Sequence, residues 1–199
     1  MKRTCCVLLI FCTLLASIAG CGKAKLKNYI ESKTLSEDQK QIVDLISTSE
    51  QKYLLFDVKT EDTYKDIDFW MEIYKSGELV DSRPVSIHMI NDEDKAIDGE
   101  FAAIMDKTPD YKCTFIYSEK AGAKVNSPSE SITKFDTDSC ASWTINQPVG
   151  IEDGKEIVLY AAAFRQDGAY SGSDLQSLID LNNLKDFDYV HLIKCRFTK

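Results

Sequence analysis

Short apolar segments return along this chain about every ten residues, and this spacing constrains the fold more than any other feature. Within most of them, apolar residues alternate with polar or small ones, which is the period of a β-strand with one buried face. A Ser76-Gly77 turn before Leu79-Val80 indicates a hairpin. The predicted strands lie at 53–58, 69–74, 85–90, 100–105, 112–117, 140–145, 157–164 and 189–197.

Two segments carry a helical pattern instead. Residues 36–50 start with a capping box, Ser36 with Gln39, and residues 174–184 repeat leucines at helical spacing. The apolar face of the first helix is formed by Ile42, Val43, Leu45 and Ile46. We therefore predict a mainly β fold, an antiparallel, immunoglobulin-like β-sandwich with an N-terminal helix and one helical crossover. The alternative is an α+β sheet with the 174–184 helix packed on one face.

The first twenty residues have the features of a secretory signal. Lys2 and Arg3 form a positive start, and residues 5–19 carry no charge. This run is shorter than the ~20 apolar residues that span a bilayer, so it predicts a signal peptide rather than a transmembrane helix.

The end of this segment, Ile18-Ala19-Gly20-Cys21, resembles the lipobox of bacterial lipoproteins. The resemblance implies that cleavage after Gly20 makes Cys21 the new N-terminus, bearing a diacylglyceryl thioether. It also implies a location on the extracytoplasmic face of the cell membrane, held by the lipid. The alternative is an ordinary cleaved signal with a chance cysteine.

Charge divides the remaining chain into a basic tether and an acidic head. The whole chain has a formal net charge of −8, and without the +2 of residues 1–20 this becomes −10. We expect a signal at 1–20, a lipidated basic tether at 21–35 and a single globular domain at 36–199. No basic stripe suits phosphate groups, so nucleic acid is not an expected partner.

The residues that most often carry chemistry are scarce. Outside the signal and Cys21, three cysteines remain, and Cys113 and Cys195 fall on faces that look buried, whereas Cys140 is the expected exposed thiol. A Cys113–Cys195 disulfide is the competing interpretation. His88 and His191 lack metal-ligand spacing and no G-x-S-x-G occurs, so we predict no catalytic, cofactor or metal-binding residue.

Both tryptophans, Trp70 and Trp143, lie in alternating strands, and core packing is the expected role of each. The alternatives are platforms that stack on sugars and anchors at a protein contact. Residues 118–139 form a predicted long loop with a possible strand at 132–135, and residues 91–99 form a predicted acidic loop.

These observations favour a monomeric surface lipoprotein whose head binds an envelope protein or a small ligand through the loops at 118–139 and 91–99. An envelope hydrolase that uses carboxylates is the second hypothesis, and an inhibitory or structural lipoprotein is the third. Two close carboxylates with raised pKa values would favour the hydrolase.

Overall fold

The structure is a computed structural model, and it describes residues 26–48, 51–91, 95–106, 112–120, 122, 124–131, 140–165 and 184–199. The signal at 1–20, Cys21, the possible strand at 132–135 and the helix predicted at 174–184, apart from Leu184, lie outside the described residues.

In this described part of the chain, twelve strands form two antiparallel sheets. Sheet A has the order β10-β1-β2-β5-β6-β7, with β8 also paired to β6, and sheet B has the order β4-β3-β12-β11-β9. The strands are β1 (Tyr29–Ser32), β2 (Gln51–Thr63), β3 (Asp66–Lys75), β4 (Glu78–Ile90), β5 (Ala96–Asp106), β6 (Lys112–Glu119), β7 (Lys124–Asn126), β8 (Glu130–Ser131), β9 (Cys140–Thr144), β10 (Val149–Gly150), β11 (Glu156–Phe164) and β12 (Tyr189–Thr198).

The core lies between the two sheets, because alternate residues of each strand point inward. Sheet A contributes Phe101 and Phe115, and sheet B contributes Phe69, whose ring stacks on that of Phe101 at 4.0 Å between centroids. Nearly every inward side chain is apolar, as the alternation predicted. The predicted β-sandwich is therefore confirmed.

The N-terminal helix is also confirmed, with different bounds. Helix α1 (Glu37–Ile46) begins at Ser36, whose side chain accepts a hydrogen bond from the Gln39 amide while the Gln39 side chain accepts one from the Ser36 amide. The prediction extended the helix to residue 50, but β2 already begins at Gln51.

Four short strands were not predicted. Residues 29–32, assigned to the tether, instead form β1, which pairs with β2 and β10 and buries Ile30 completely. The head therefore includes part of the predicted tether. The predicted long loop at 118–139 contains β7 and β8, both paired with β6. Strands of two to four residues carry too little alternation to stand out in a sequence.

The hairpin predicted at Ser76-Gly77 joins β3 to β4. Both turn residues have positive φ, 48° for Ser76 and 86° for Gly77, as the tight two-residue turn of a twisted hairpin requires. A side chain at Gly77 would also meet the backbone of Lys185 at 3.0 Å. That lysine lies in the 3-10 helix Leu184–Asp186.

Strand β4 is one continuous strand where the sequence suggested two segments. Its register against β3 shifts twice, between Trp70 and Glu72 and between Ile73 and Tyr74. Extra residues of β4 are accommodated there, including Arg83 at a φ of 69° and Pro84. Within the described sheet B, β4 is an edge strand.

The acidic loop predicted at 91–99 is too long, because β5 already begins at Ala96. It carries the chain from β4 in sheet B to β5 in sheet A. Asn91 fixes the crossing, since its buried side-chain amide donates to the carbonyl oxygens of Tyr64 and Lys95. No helix in the described part of the chain is long and apolar enough to cross a bilayer.

Candidate functional site

A groove of about 590 Å³ opens where β9 ends and β11 begins. Trp143 and Val158 supply apolar surface, the segment after β9 supplies Asn146 and Gln147, and Lys194 is among the charged lining residues. Because β10 of sheet A also contributes to the wall, the groove lies at the junction of the two sheets. Its size is within the ~300–1,000 Å³ of ordinary ligand sites.

Trp143 reaches the groove because of its register in β9. It pairs with Ala161 of β11, which points away from the sandwich core together with Val158. The small side chain of Ala161 leaves room for the indole, which remains half-buried. The prediction that Trp143 is a core residue is therefore only partly right: it touches the core cluster but also lines an open surface.

The end of β9 is held in place by hydrogen bonds from two hydroxyl groups. Ser32 donates to the carbonyl oxygen of Ile145 at 2.7 Å, and Thr144 donates to the carbonyl oxygen of Leu159 at 3.2 Å. Ile145 itself is buried and its amide donates to the same Leu159 carbonyl. The next residues, Asn146 and Gln147, therefore leave a fixed strand end and project into solvent.

The side-chain amides of Asn146 and Gln147 are exposed, and neither makes a hydrogen bond to another described residue. Each such amide offers two donors and an acceptor oxygen. The rim of the groove thus carries two neutral groups with their hydrogen-bonding capacity available.

Charged side chains of the groove are paired with one another. Lys194 Nζ lies 2.8 Å from Glu72 Oε2 and 3.2 Å from Glu156 Oε2, and Lys155 Nζ lies 2.8 Å from Glu152 Oε1. The four charged residues that line the groove itself, two lysines and two glutamates, sum to zero. Glu156 is about half exposed and uses only Oε2 in this pairing.

Glu72 does not line the groove itself, but it binds the lining residue Lys194 and is held by several hydrogen bonds. Burial alone would raise its pKa, but hydrogen bonds from Lys194, Trp70 and Tyr74 outweigh burial and bring the pKa below its ordinary value. The carboxylate is therefore ionised at neutral pH. A carboxylate in this state does not act as a general acid, which needs a raised pKa.

Trp70 is buried, as predicted, but it lies on the same outward face of sheet B and not between the two sheets. Arg83 and Arg196 cover its ring, with guanidinium carbons 5.0 and 5.7 Å from the ring centroid. Arg196 also bonds Asp68 at 3.0 Å, and Asp68 accepts from His88 Nδ1 at 2.9 Å. The outcome is a closed polar cluster with Trp70 only 2% exposed.

The histidines and cysteines do not assemble into a metal site. His191 is buried against Phe164, and burial lowers its pKa to about 3. Cys113 lies in sheet A and Cys195 in sheet B, both buried and both free, so the proposed disulfide is absent. Cys140 is the exposed thiol, as predicted. Among the described residues, no three His, Cys, Asp or Glu side chains are grouped to hold a metal ion.

A second surface with functional potential is the outward side of α1. Ile42, Leu45 and Ile46 are 60, 85 and 65% exposed, and a cavity of about 530 Å³ separates the helix from sheet A. This side offers apolar contact area, but its polar side chains, such as Asp44, stand on an exposed helix that buries none of its residues. The groove at Trp143 joins an aromatic ring to amides on a fixed strand end and is the stronger candidate.

The sequence pointed to Trp143 but not to its neighbours. Asn146 and Gln147 precede Pro148 after a strand, a pattern that indicates an exposed turn and nothing more specific. The lipid-bearing candidate Cys21 lies outside the described residues. None of the described residues in the loops predicted at 91–99 and 118–139 lines the groove.

Comparison with known proteins gives one match. Searches of the curated proteins and of the solved structures find no significant match. The profile of the YgaN domain matches residues 29–197, which begins at β1 and ends in β12 and so covers both sheets. On this match over most of its length, the chain belongs to the YgaN domain family.

Proposed function

We propose that this protein is a lipid-anchored binding module of the extracytoplasmic membrane face. Cys21 would hold it to the membrane, and the groove at Trp143 would receive the ligand or partner. The observation that carries the proposal is the groove itself, which places a half-buried aromatic ring beside two side-chain amides without partners among the described residues.

Three features favour binding over catalysis. The carboxylates near the groove are each paired with a lysine, and the pKa of Glu72 is lowered where a hydrolase acid would need it raised. The buried thiol of Cys113 has a pKa raised to about 12 by burial, which opposes formation of a nucleophilic thiolate. The groove is therefore suited to hydrogen bonding through its side-chain amides and to packing of a ligand on the Trp143 ring.

The anchor is tested by Cys21→Ala. We expect loss of metabolic acyl labelling and release of the protein from the membrane fraction, because each buried CH₂ of an acyl chain contributes about 0.8 kcal/mol to membrane binding. Cys140→Ala is the matched control, since it removes an exposed thiol and should leave both properties unchanged. Unaltered detergent-phase partitioning of Cys21→Ala would refute the anchor.

The groove is tested by affinity capture from envelope extracts with residues 26–199, so that β1 is kept. Molecules retained by the wild-type head and lost with Trp143→Ala would identify occupants of the groove. Val80→Ala on β4 is the control, since Val80 is exposed and lies outside the groove. Equal recovery with Trp143→Ala and wild type would argue against the groove as the binding site.

A further inference from the structure

We infer that the groove at Trp143 takes a neutral saccharide. This inference rests on the proposed function and names the ligand class for the same groove. It depends on three observations: which groups in the groove are free to bond, what charge the groove carries, and what apolar surface it presents.

The free polar groups match hydroxyls. Asn146 and Gln147 offer amide groups that both donate and accept, and a sugar hydroxyl does the same, so neighbouring hydroxyls can satisfy one amide in both directions. Glu156 adds an acceptor, because Oε2 binds Lys194 while the side chain stays about half exposed. An apolar ligand would leave all of these groups without bonds.

The charge balance favours an uncharged ligand. Lys155 already holds Glu152, and Lys194 already holds Glu72 and Glu156, so an anion would have to displace an existing ion pair and a cation would meet a lysine beside each glutamate. Lys194 is only 4% exposed and cannot turn outward to meet an anion without leaving Glu72 buried and unpaired. A neutral ligand avoids both costs.

The apolar surface suits a sugar ring. Trp143 is half-buried and held by contacts with the core cluster and with an outward apolar cluster of sheet B that includes Ala161 and Val190. Val158 continues this surface toward Lys194, its partner in the neighbouring strand. A ring that is already fixed loses little side-chain freedom when a ligand packs on it. A saccharide has apolar C–H faces for this contact and hydroxyl edges for the amides.

The experiment uses ¹⁹F NMR of residues 26–199 labelled with 5-fluorotryptophan. The chain has two tryptophans, so the spectrum reports Trp143 in the groove and the buried Trp70 as an internal reference. The probes form a charge series on similar scaffolds: neutral chitotetraose and cellotetraose, the cationic glucosamine tetramer, and anionic tetragalacturonate. Measurements at 0.15 M salt limit long-range attraction by the acidic head.

We expect a saturable shift of the Trp143 resonance with at least one neutral tetrasaccharide and no shift of Trp70. The double variant Asn146→Ala/Gln147→Ala should weaken that affinity about tenfold, the effect of losing two hydrogen bonds. Asn126→Ala on β7 is the matched control, since it removes an exposed amide outside the groove. An unchanged Trp70 resonance shows that each variant is folded.

Two results would overturn the inference. One is a Trp143 shift with a charged tetramer but with neither neutral one, which would leave a binding groove of different specificity. The other is no shift with any tetramer. Neither result decides the proposed function, because affinity capture that depends on Trp143 would still show that the groove binds something else.

Discussion

The outer faces of the two sheets are covered in opposite ways. On sheet B, charged and aromatic side chains close over one another around the buried Lys194 and Glu72, and the 3-10 helix Leu184–Asp186 packs on an apolar patch of the same face. On sheet A, an amphipathic helix with a complete capping box lies over the sheet and buries none of its residues. On these outer faces, a side chain is buried where neighbouring side chains bond to it, and its polarity does not decide the outcome. Lys194 is enclosed because two carboxylates bind it, whereas the apolar Leu45 is 85% exposed.

The largest expected effect is that of Lys194→Met. Removing the cation leaves the Glu72 carboxylate buried without its partner, which costs about 3–5 kcal/mol of unfolding free energy. Denaturant unfolding measures this loss, and adding Glu72→Gln to the variant should recover much of it.

The control is Lys155→Met, which breaks the exposed pair with Glu152 and should cost no more than about 1 kcal/mol. If the two lysine variants lost equal stability, the buried cluster of sheet B would be no different from a surface ion pair.

An intermediate effect on unfolding free energy is expected when pH is lowered. The residue responsible is His191, which lies on the inward side of strand β12, the strand that also carries Lys194. His191 is neutral in the fold because burial lowers its pKa from 6.5 to about 3, so below pH 6.5 protons bind the unfolded chain first. Unfolding free energy should fall by about 2 kcal/mol between pH 7.5 and pH 5, and it should fall further toward pH 3.

In His191→Leu this loss between pH 7.5 and pH 5 should largely vanish, whereas it should persist in His88→Gln, which keeps His191. Titration of Asp68 and Glu72 does not overlap with that of His191 in this pH range. Their folded pKa values lie below the ordinary 3.8 and 4.5, so the stability they contribute is lost mainly at lower pH. The same slope in His191→Leu as in wild type would mean that the ring is protonated in the fold.

The smallest effect is expected on α1. Leu45→Ser should change unfolding free energy by no more than about 0.5 kcal/mol, because an exposed side chain loses no packing. Leu159→Ala, a fully buried leucine of β11, is the comparison and should cost about 2–5 kcal/mol. A loss above 1 kcal/mol in Leu45→Ser would show that α1 is packed more closely than its exposure indicates.

The sheets were largely predictable and their outward faces were not. Alternation in strands such as β3 and β12 shows that one set of side chains is inside, and the sandwich follows from that. It also places the polar residues Asp68 and Glu72 on the other side, but it does not show that Lys194 and Arg196 lie opposite them. That pairing depends on β12 joining β3 across more than a hundred residues of sequence.

The groove was half predictable for the same reason. Trp143 was recognised as either a core residue or a platform, and the decision between them needed the register of β9 against Ala161. Asn146 and Gln147 become candidate binding residues only because Glu152 and Lys194, from later parts of the chain, line the same groove. Local patterns do not contain such distant neighbours.

Strand β4 bears on how copies of this protein would behave side by side. A lipid anchor, as proposed, confines molecules to a plane, where exposed sheet edges of different molecules meet often. Such edges can pair through backbone hydrogen bonds into one intermolecular sheet. Arg83 with its positive φ and the neighbouring Pro84, which has no N–H to donate, interrupt the outer row of backbone groups halfway along β4. Crowding on the membrane would therefore bring these edges together without offering them a continuous run of hydrogen bonds to share.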